Sequence, residues 1–343
     1  MGNGRSAKLH GAMGYMTRWL LDMIFFAVIF LTDYPCLIAQ QPDIDSNYIR
    51  KFERSNVIEV YPGSYSSRFN FSTPGMHRKD YSLVANSSGY VGIYLNYKWI
   101  SLKYSWGMPG TQLDNGVKLK YASLDFRFGG RKMAFWPFYD SYNGLLIPGI
   151  NRRNGYKPFR NIQFTDAGAD FYYFTNTRRF SFGAANYFSE QQTRSAGSVF
   201  LMGTPLWQQV NWKNPSRNMV RDSATFKLLS LNPQWVSAIA RIGYTYNFIF
   251  QEGQWSIAPA VLIGGGGLRE INTANKHLQA VYDLQSWVNA GYNGPRYYFY
   301  INARWDDLQT NLFIKNLSRI NTDFSVTAGY RFHSLKKKIA QIL

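Results

Sequence analysis

Chemistry that needs a nucleophile would have to be built from few parts in this chain. Beyond residue 39 there are three histidines, His77, His277 and His333. A serine hydrolase or acyltransferase requires a histidine within hydrogen-bond reach of its serine. His77 falls in a predicted loop and His277 at the edge of another, and Ser195 and Ser198 of the RSAGS stretch are predicted toward the same side. No local motif couples them, so isolated loop histidines beside a serine-rich strand end are the better reading, and no catalytic residue is assigned.

Metal and phosphate chemistry fare no better. The single cysteine, Cys36, lies in the N-terminal region, and no histidine pair or carboxylate cluster has ligand spacing. Asp166 and Asp170 are four apart on one strand face, which suits salt-bridge partners in an interior. GGGGL at 264–268 lacks the Lys and Ser/Thr of a phosphate loop and reads as a bend. No cofactor is expected. The net charge of +18 admits a nucleic-acid reading, but the basic residues are scattered and the aromatics lie on a different register from them. Nucleic acid is not an expected partner.

What recurs is alternation with a period of two. In NGPRYYFYINARWD (293–306), a turn is followed by Tyr297, Phe299, Ile301, Ala303 and Trp305 on one face. Tyr298, Tyr300, Asn302, Arg304 and Asp306 occupy the other. The same pattern runs through 99–108, 238–248 and 322–332. The polar face carries charges of both signs: Lys103, Asp125, Arg127, Asp166, Asp170, Arg241, Arg304, Asp306 and Arg331. A dry sandwich core would not accept these, whereas a narrow barrel lumen can pair them. The expected fold is therefore an all-β, antiparallel, up-and-down transmembrane barrel of about 12 strands, with 10 or 14 as alternatives. These nine residues are its expected lumen lining.

Aromatic residues flank the short turns: Tyr97 and Trp99, Phe128, Phe174 and Phe180, Phe250 and Trp255, Tyr292 and Tyr297. They predict an interfacial girdle at one end. Longer polar connections at 109–116, 147–161, 204–233 and 307–320 predict outer loops. One segment, 179–203, is too long for a single crossing and either extends beyond the membrane or splits. At the N-terminus, Arg5, Lys8 and Arg18 precede the apolar run MIFFAVIFL and then Ala39, the pattern of a cleaved export signal. The expected organisation is a signal peptide at 1–39, a periplasmic segment at 40–54, the barrel at 55–333 and a basic tail at 334–343.

The stretches DSNYIRKFERSNVIEVYPGSYSSRFNF (45–71), GYVGIYLNYKWISLKYSWGMPG (89–110), QQTRSAGS (191–198), GYTYNFIFQEGQW (243–255) and TAGYRF (327–332) carry a resemblance. Together they resemble an uncharacterised family of exported Bacteroidota barrel proteins known only as a domain of unknown function. The resemblance implies a Gram-negative outer-membrane location and supplies no activity, ligand or catalytic residue. The expected partners are outer-membrane lipid and lipopolysaccharide, with envelope proteins unidentified. The expected role is a narrow pore or a structural barrel. An outer-membrane lipid hydrolase or acyltransferase and a subunit of an export complex are the alternatives.

Overall fold

Alternation of this kind needs a partner strand on each side, and the chain supplies one by closing on itself. The computed structural model describes residues 44–75, 79–86, 89–97, 100–114, 120–125, 128–129, 131–149, 155–220, 222–272 and 277–333. The expected signal peptide and the basic tail lie outside these residues. In chain order the strands are β1 (Ile49–Arg50), β2 (Asn56–Ser72), β3 (Lys79–Ala85), β4 (Gly89–Tyr97), β5 (Ile100–Gly107), β6 (Lys120–Asp125), β7 (Phe128–Gly129) and β8 (Met133–Pro148). They continue with β9 (Tyr156–Phe174), β10 (Gln191–Gln192), β11 (Ala196–Trp212), β12 (Gln234–Phe250), β13 (Trp255–Glu270), β14 (Gln279–Asn293), β15 (Tyr297–Asn311) and β16 (Asn316–Phe332). Two short helices, α1 (Phe182–Tyr187) and α2 (Ser223–Ser230), interrupt them.

Ten strands, β2, β3, β8, β9 and β11 to β16, form an unbroken antiparallel ring in which β16 pairs back onto β2. Burial follows the pleat. In β12 Val236, Ile242, Tyr244 and Phe248 are exposed, whereas Trp235, Ile239, Arg241 and Thr245 are buried. Outward residues form an apolar belt around the ring, including Ile58, Val60, Leu201, Val261, Ile263, Tyr282, Phe299 and Val326.

The ring of ten differs from the expected twelve because β3 is short. It links β2 to β8 in one half of the barrel only, through Arg68–Ser72 on one side and Leu145 and Leu146 on the other. In the other half β2 pairs through Val57–Ser64 with β4, β4 pairs with β5, and β8 pairs with β6 and β7. Four extra strands thus widen the wall at that end. β3 ends at Ala85, and Asn86 follows it outside the ladder. Its buried amide accepts from the Asp114 N–H at 3.0 Å and donates to the Asp114 carbonyl at 2.8 Å, doing by side chain what a ladder would do by backbone.

Two connections also depart from expectation. Residues 307–320 are mostly strand, since β15 reaches Asn311 and β16 begins at Asn316. Strands of 15 to 19 residues exceed the roughly 9–11 that cross a bilayer, so the wall projects beyond an apolar belt. The TNTRR turn at 175–179 is no hairpin. It opens a segment carrying α1 and β10, and β10 pairs with β1. Residues 44–55 and 175–195 form a plug at the end where β12 meets β13 and β14 meets β15. Phe174 and Phe180, expected in the girdle, are buried there, with Phe174 packed 4.6 Å from Phe182. Around the outside of this end Trp255, Tyr292, Phe299, Tyr297 and Tyr330 form a run of ring contacts between 5.3 and 5.6 Å.

The four glycines of β13 mark a close approach. A Cβ on Gly264 or Gly266 would collide with the β12 backbone at Ala240 and Ala238, so only glycine lets the two strands bend together.

Candidate functional site: a polar cavity between a dry layer and a plug

Inward residues change character along the barrel axis. At the α2 end they are apolar: Phe69, Phe71, Leu83, Phe159, Phe164, Trp212, Trp235 and Leu317 pack with Val220, Leu228 and Leu229 from the loop that carries α2. Helix α2 starts because Asp222 caps it, accepting from the Thr225 N–H at 2.9 Å and from its hydroxyl at 2.5 Å. Lys315, its side chain 2% exposed, ties this lid to the wall. Its ammonium donates to Asp80 at 2.5 Å and Thr73 at 2.9 Å and lies 3.2 Å from Asp222.

Those contacts set the charges of the lid. Hydrogen bonds from Lys315 and Thr73 hold the Asp80 carboxyl below its ordinary value. Burial pushes Asp222 upward, but the bonds from Thr225 and Lys315 outweigh it and the carboxyl is lowered. Burial pushes Lys315 downward, and its bonds to Asp80 and Asp222 raise it above the usual lysine value.

A hydrogen-bonded floor separates this apolar layer from the space below. The Trp235 indole N–H donates to Gln208 at 2.9 Å, the Gln208 amide donates to Asp166 at 2.8 Å, and Asp166 is ion-paired with Arg319. Tyr65 meets Tyr142 at 2.6 Å and donates to Asn321 at 3.1 Å.

Beyond the floor is a cavity of about 380 Å³. Arg241 is buried in an ion pair with Asp283 and donates to the Thr204 hydroxyl at 2.5 Å. That hydroxyl donates to Asp170 at 2.7 Å. Tyr90 donates to Asp323 at 2.8 Å, and the Lys103 ammonium sits 4.9 Å from the centre of the Tyr61 ring. Arg304 points inward yet is exposed, so its exposure is to the cavity. It donates to Gln285 at 3.0 Å and lies 5.7 Å from the Trp287 ring centre.

The plug closes the opposite side. Asn186 of α1 accepts from the Trp287 indole at 2.7 Å and from the Asn289 amide at 2.8 Å. Arg331 is 0% exposed, and its guanidinium is held between the Phe52 and Tyr298 rings at 3.8 and 4.1 Å. It donates to the carbonyls of Gly294 and Phe188 and to Asn293 at 2.6 Å. One side chain of the last strand therefore fastens the plug, through Phe52 and Phe188, to the β14–β15 turn.

Of the nine residues expected in the lumen, Lys103, Asp170, Arg241, Arg304 and Asp306 line the cavity. Asp166 belongs to the floor and Arg331 to the plug anchor. Arg127 and the Asp125 side chain lie outside the described residues. Sequence reasoning omitted Asp283 and Arg319. Asp283 follows from the inward parity of β14, but Arg319 was placed in a predicted loop. The plug residue Asn186 had no periodic signal at all.

The structure does not bring Ser195 or Ser198 to His277, in keeping with the assignment of no catalytic pair. Ser198 is buried at the plug end, donating to the Val199 carbonyl at 2.8 Å and accepting from the Asn176 N–H at 3.1 Å. Ser195 accepts from the Ile249 N–H at 2.9 Å at the same end. His277 precedes β14 at the α2 end, and His77 lies outside the described residues. The separation arises because 181–192 folds as plug, so β11 starts at the RSAGS stretch. Among the described residues no group of His, Cys, Asp and Glu is arranged to hold a metal ion.

Comparison with known proteins gives a family and an architecture. The family described as "Domain of unknown function (DUF4421)" matches residues 43–332. No curated protein matches the chain in sequence. Among solved structures, the outer membrane protease OmpT of Escherichia coli is similar with a TM-score of 0.34 at 8% identity, covering 84% of this chain and 100% of that one. An outer membrane channel of Pseudomonas putida F1 gives 0.36 at 13% identity, with 85% and 100% covered. The β domain of the Bordetella autotransporter BrkA gives 0.40 at 12% identity, with 80% and 100% covered. These likenesses are distant and carry no argument about role.

Proposed function

Because the chain belongs to the DUF4421 family, whose domain has no known function, its role must be read from the barrel, and we propose a closed outer-membrane barrel that holds a polar site within its wall. The observation that carries this reading is the double seal. The cavity is bounded on one side by a layer of Phe, Trp and Leu side chains and on the other by a plug anchored at Arg331. An open aqueous pore needs neither, and open channels belong to wider barrels.

The outer-membrane setting rests on the apolar outward face and on the aromatic run at the plug end, which places amphipathic rings where headgroups meet hydrocarbon. Short turns at that end assign it to the periplasm and assign α2 to the outside. Export by a signal peptide and an origin in Bacteroidota belong to the same reading. Exposed Lys157 and Arg269 near the α2 end would then face the lipid phosphates of the outer leaflet. A lipid hydrolase is not favoured, since Ser198 is buried and both serines considered for it lie at the plug end, away from His277.

Two measurements test the proposal. On fractionation the protein is expected in the outer membrane, with an unboiled sample migrating faster than a boiled one. In planar bilayers the purified protein is expected to give no steady conductance. A stable open channel would overturn the sealed reading, and a soluble protein with no heat shift would overturn the barrel's membrane setting.

A further inference from the structure

Resting on that reading, we propose that the sealed cavity is a binding site for a short neutral saccharide. The argument begins with charge. The lining carries Glu59, Asp140, Asp170, Asp283, Asp306 and Asp323 against Lys103, Arg241, Arg304 and Arg319. A simple anion would meet six carboxylates. A simple cation would meet the exposed guanidinium of Arg304, which forms no ion pair among the described residues. A neutral ligand whose groups both donate and accept satisfies both.

The unused hydrogen-bonding capacity is of both kinds and is adjacent. Among the described residues Arg304 has one acceptor, Gln285, for its five N–H groups. Two residues along the same inward face, Asp306 accepts only a long bond of 3.3 Å from Asn321 among the described residues, and its Oδ1 has no partner among them. Asn302 lies two residues before Arg304 and also lines the space. Planar groups in such a row suit neighbouring hydroxyls of one sugar ring, each of which can accept from a guanidinium or amide and donate to a carboxylate.

The remaining walls are aromatic. Trp136 and Tyr187, with ring centres 5.8 Å apart, stand on the plug side, and Tyr61 and Tyr94 line the cavity from β2 and β4. Flat apolar faces beside polar edges match a pyranose, which has apolar C–H faces and a polar rim. A volume of about 380 Å³ falls in the range of small-molecule sites, roughly 300–1,000 Å³.

The test is titration of the detergent-purified full-length protein with maltose, cellobiose and N,N′-diacetylchitobiose, incubated overnight so that slow entry past the plug does not hide binding. Tryptophan emission is the readout, because Trp136 and Trp287 line the cavity. At least one disaccharide is expected to saturate the signal. Arg304→Gln and Asp306→Asn should each weaken it at least tenfold with an unchanged heat shift on gels. Saturation by a zwitterionic dipeptide such as Gly-Gly or by spermidine, with no response to any disaccharide, would overturn the proposal. So would silence toward every disaccharide at millimolar concentration, or sugar binding that neither variant alters. Bilayer conductance of the same preparation is a separate readout: a protein that stays non-conducting but binds no sugar loses the ligand assignment and keeps the sealed barrel.

Discussion

Along β12 the inward residues run Trp235, Ser237, Ile239, Arg241, Gly243, Thr245 and Asn247, and along β16 they run Leu317, Arg319, Asn321, Asp323, Ser325, Thr327, Gly329 and Arg331. β12 passes from a mostly apolar half at the α2 end to a polar half at the plug end, and β16 is apolar at Leu317 and polar from Arg319 on, without any change of register. The wall is the same in both halves, and the fillings differ. In the apolar half side chains exclude water and the seal is packing. In the polar half charges are retained, and each needs a partner, because an unpaired charge under this burial costs more than any one apolar contact returns. The lesson is that period two specifies the barrel, while the identity of the inward residues specifies what the barrel does.

The largest effect should come from breaking a pair in the polar half. Arg241→Leu leaves Asp283 buried and without its cation, and a loss of about 3–5 kcal/mol is expected in a urea titration followed by heat-shifted gel mobility. In the apolar half, Trp235→Ala should cost about 3–4 kcal/mol through the cavity it leaves and the bond to Gln208 that it removes. A cost below about 1 kcal/mol for Arg241→Leu would show that the polar half does not depend on this pairing. The plug gives a finer contrast. Asn186→Leu removes the acceptor of Trp287 and Asn289, with an expected cost of about 1–3 kcal/mol. It should leave the protein non-conducting, because the apolar layer still seals the other side. A channel in this single variant would show that the plug alone closes the bore.

Much of the wall was legible in the sequence and little of its contents. Alternation along 293–306 assigns inward and outward faces that agree with the observed burial of Tyr298 and Tyr300 and the exposure of Tyr297 and Phe299. It identifies Arg241 and Arg304 as inward, since parity needs only the correct strand. Arg319 was missed because its strand continues past the apolar belt, where the outward face turns polar and the signal fades. The plug was missed for a different reason. Residues 175–195 pack by contacts with distant strands, such as Phe188 against Tyr300 at 4.9 Å, and no local period records such contacts. The aromatics Phe174 and Phe180 show the ambiguity directly, for the same residue type serves a membrane girdle outside and a packed core within.

The smallest effect is expected from pH, and it should separate the two ends of the barrel. Asp80 and Asp222 are lowered from 3.8, so their contribution is present above that value and is lost as pH falls through their lower folded values. Lys315 is raised from 10.5, so its contribution is complete below that value and is lost as pH rises through its higher folded value. The α2 lid should therefore be most firmly held between about pH 4 and 10, and loosen on either side. Both carboxylates are partly exposed, which limits the effect to about 1 kcal/mol. Hydrogen exchange at the amides of α2 measures it, and Lys315→Met should remove the alkaline limb and most of the acid one. On the acid side the Arg331 anchor has no such dependence, since it donates to two backbone carbonyls and an asparagine amide, none of which titrates there. Amides around Phe188 should accordingly keep their protection at acid pH values where α2 has begun to exchange. If both ends loosen together, the lid is held by the barrel as a whole and Lys315 is a passenger.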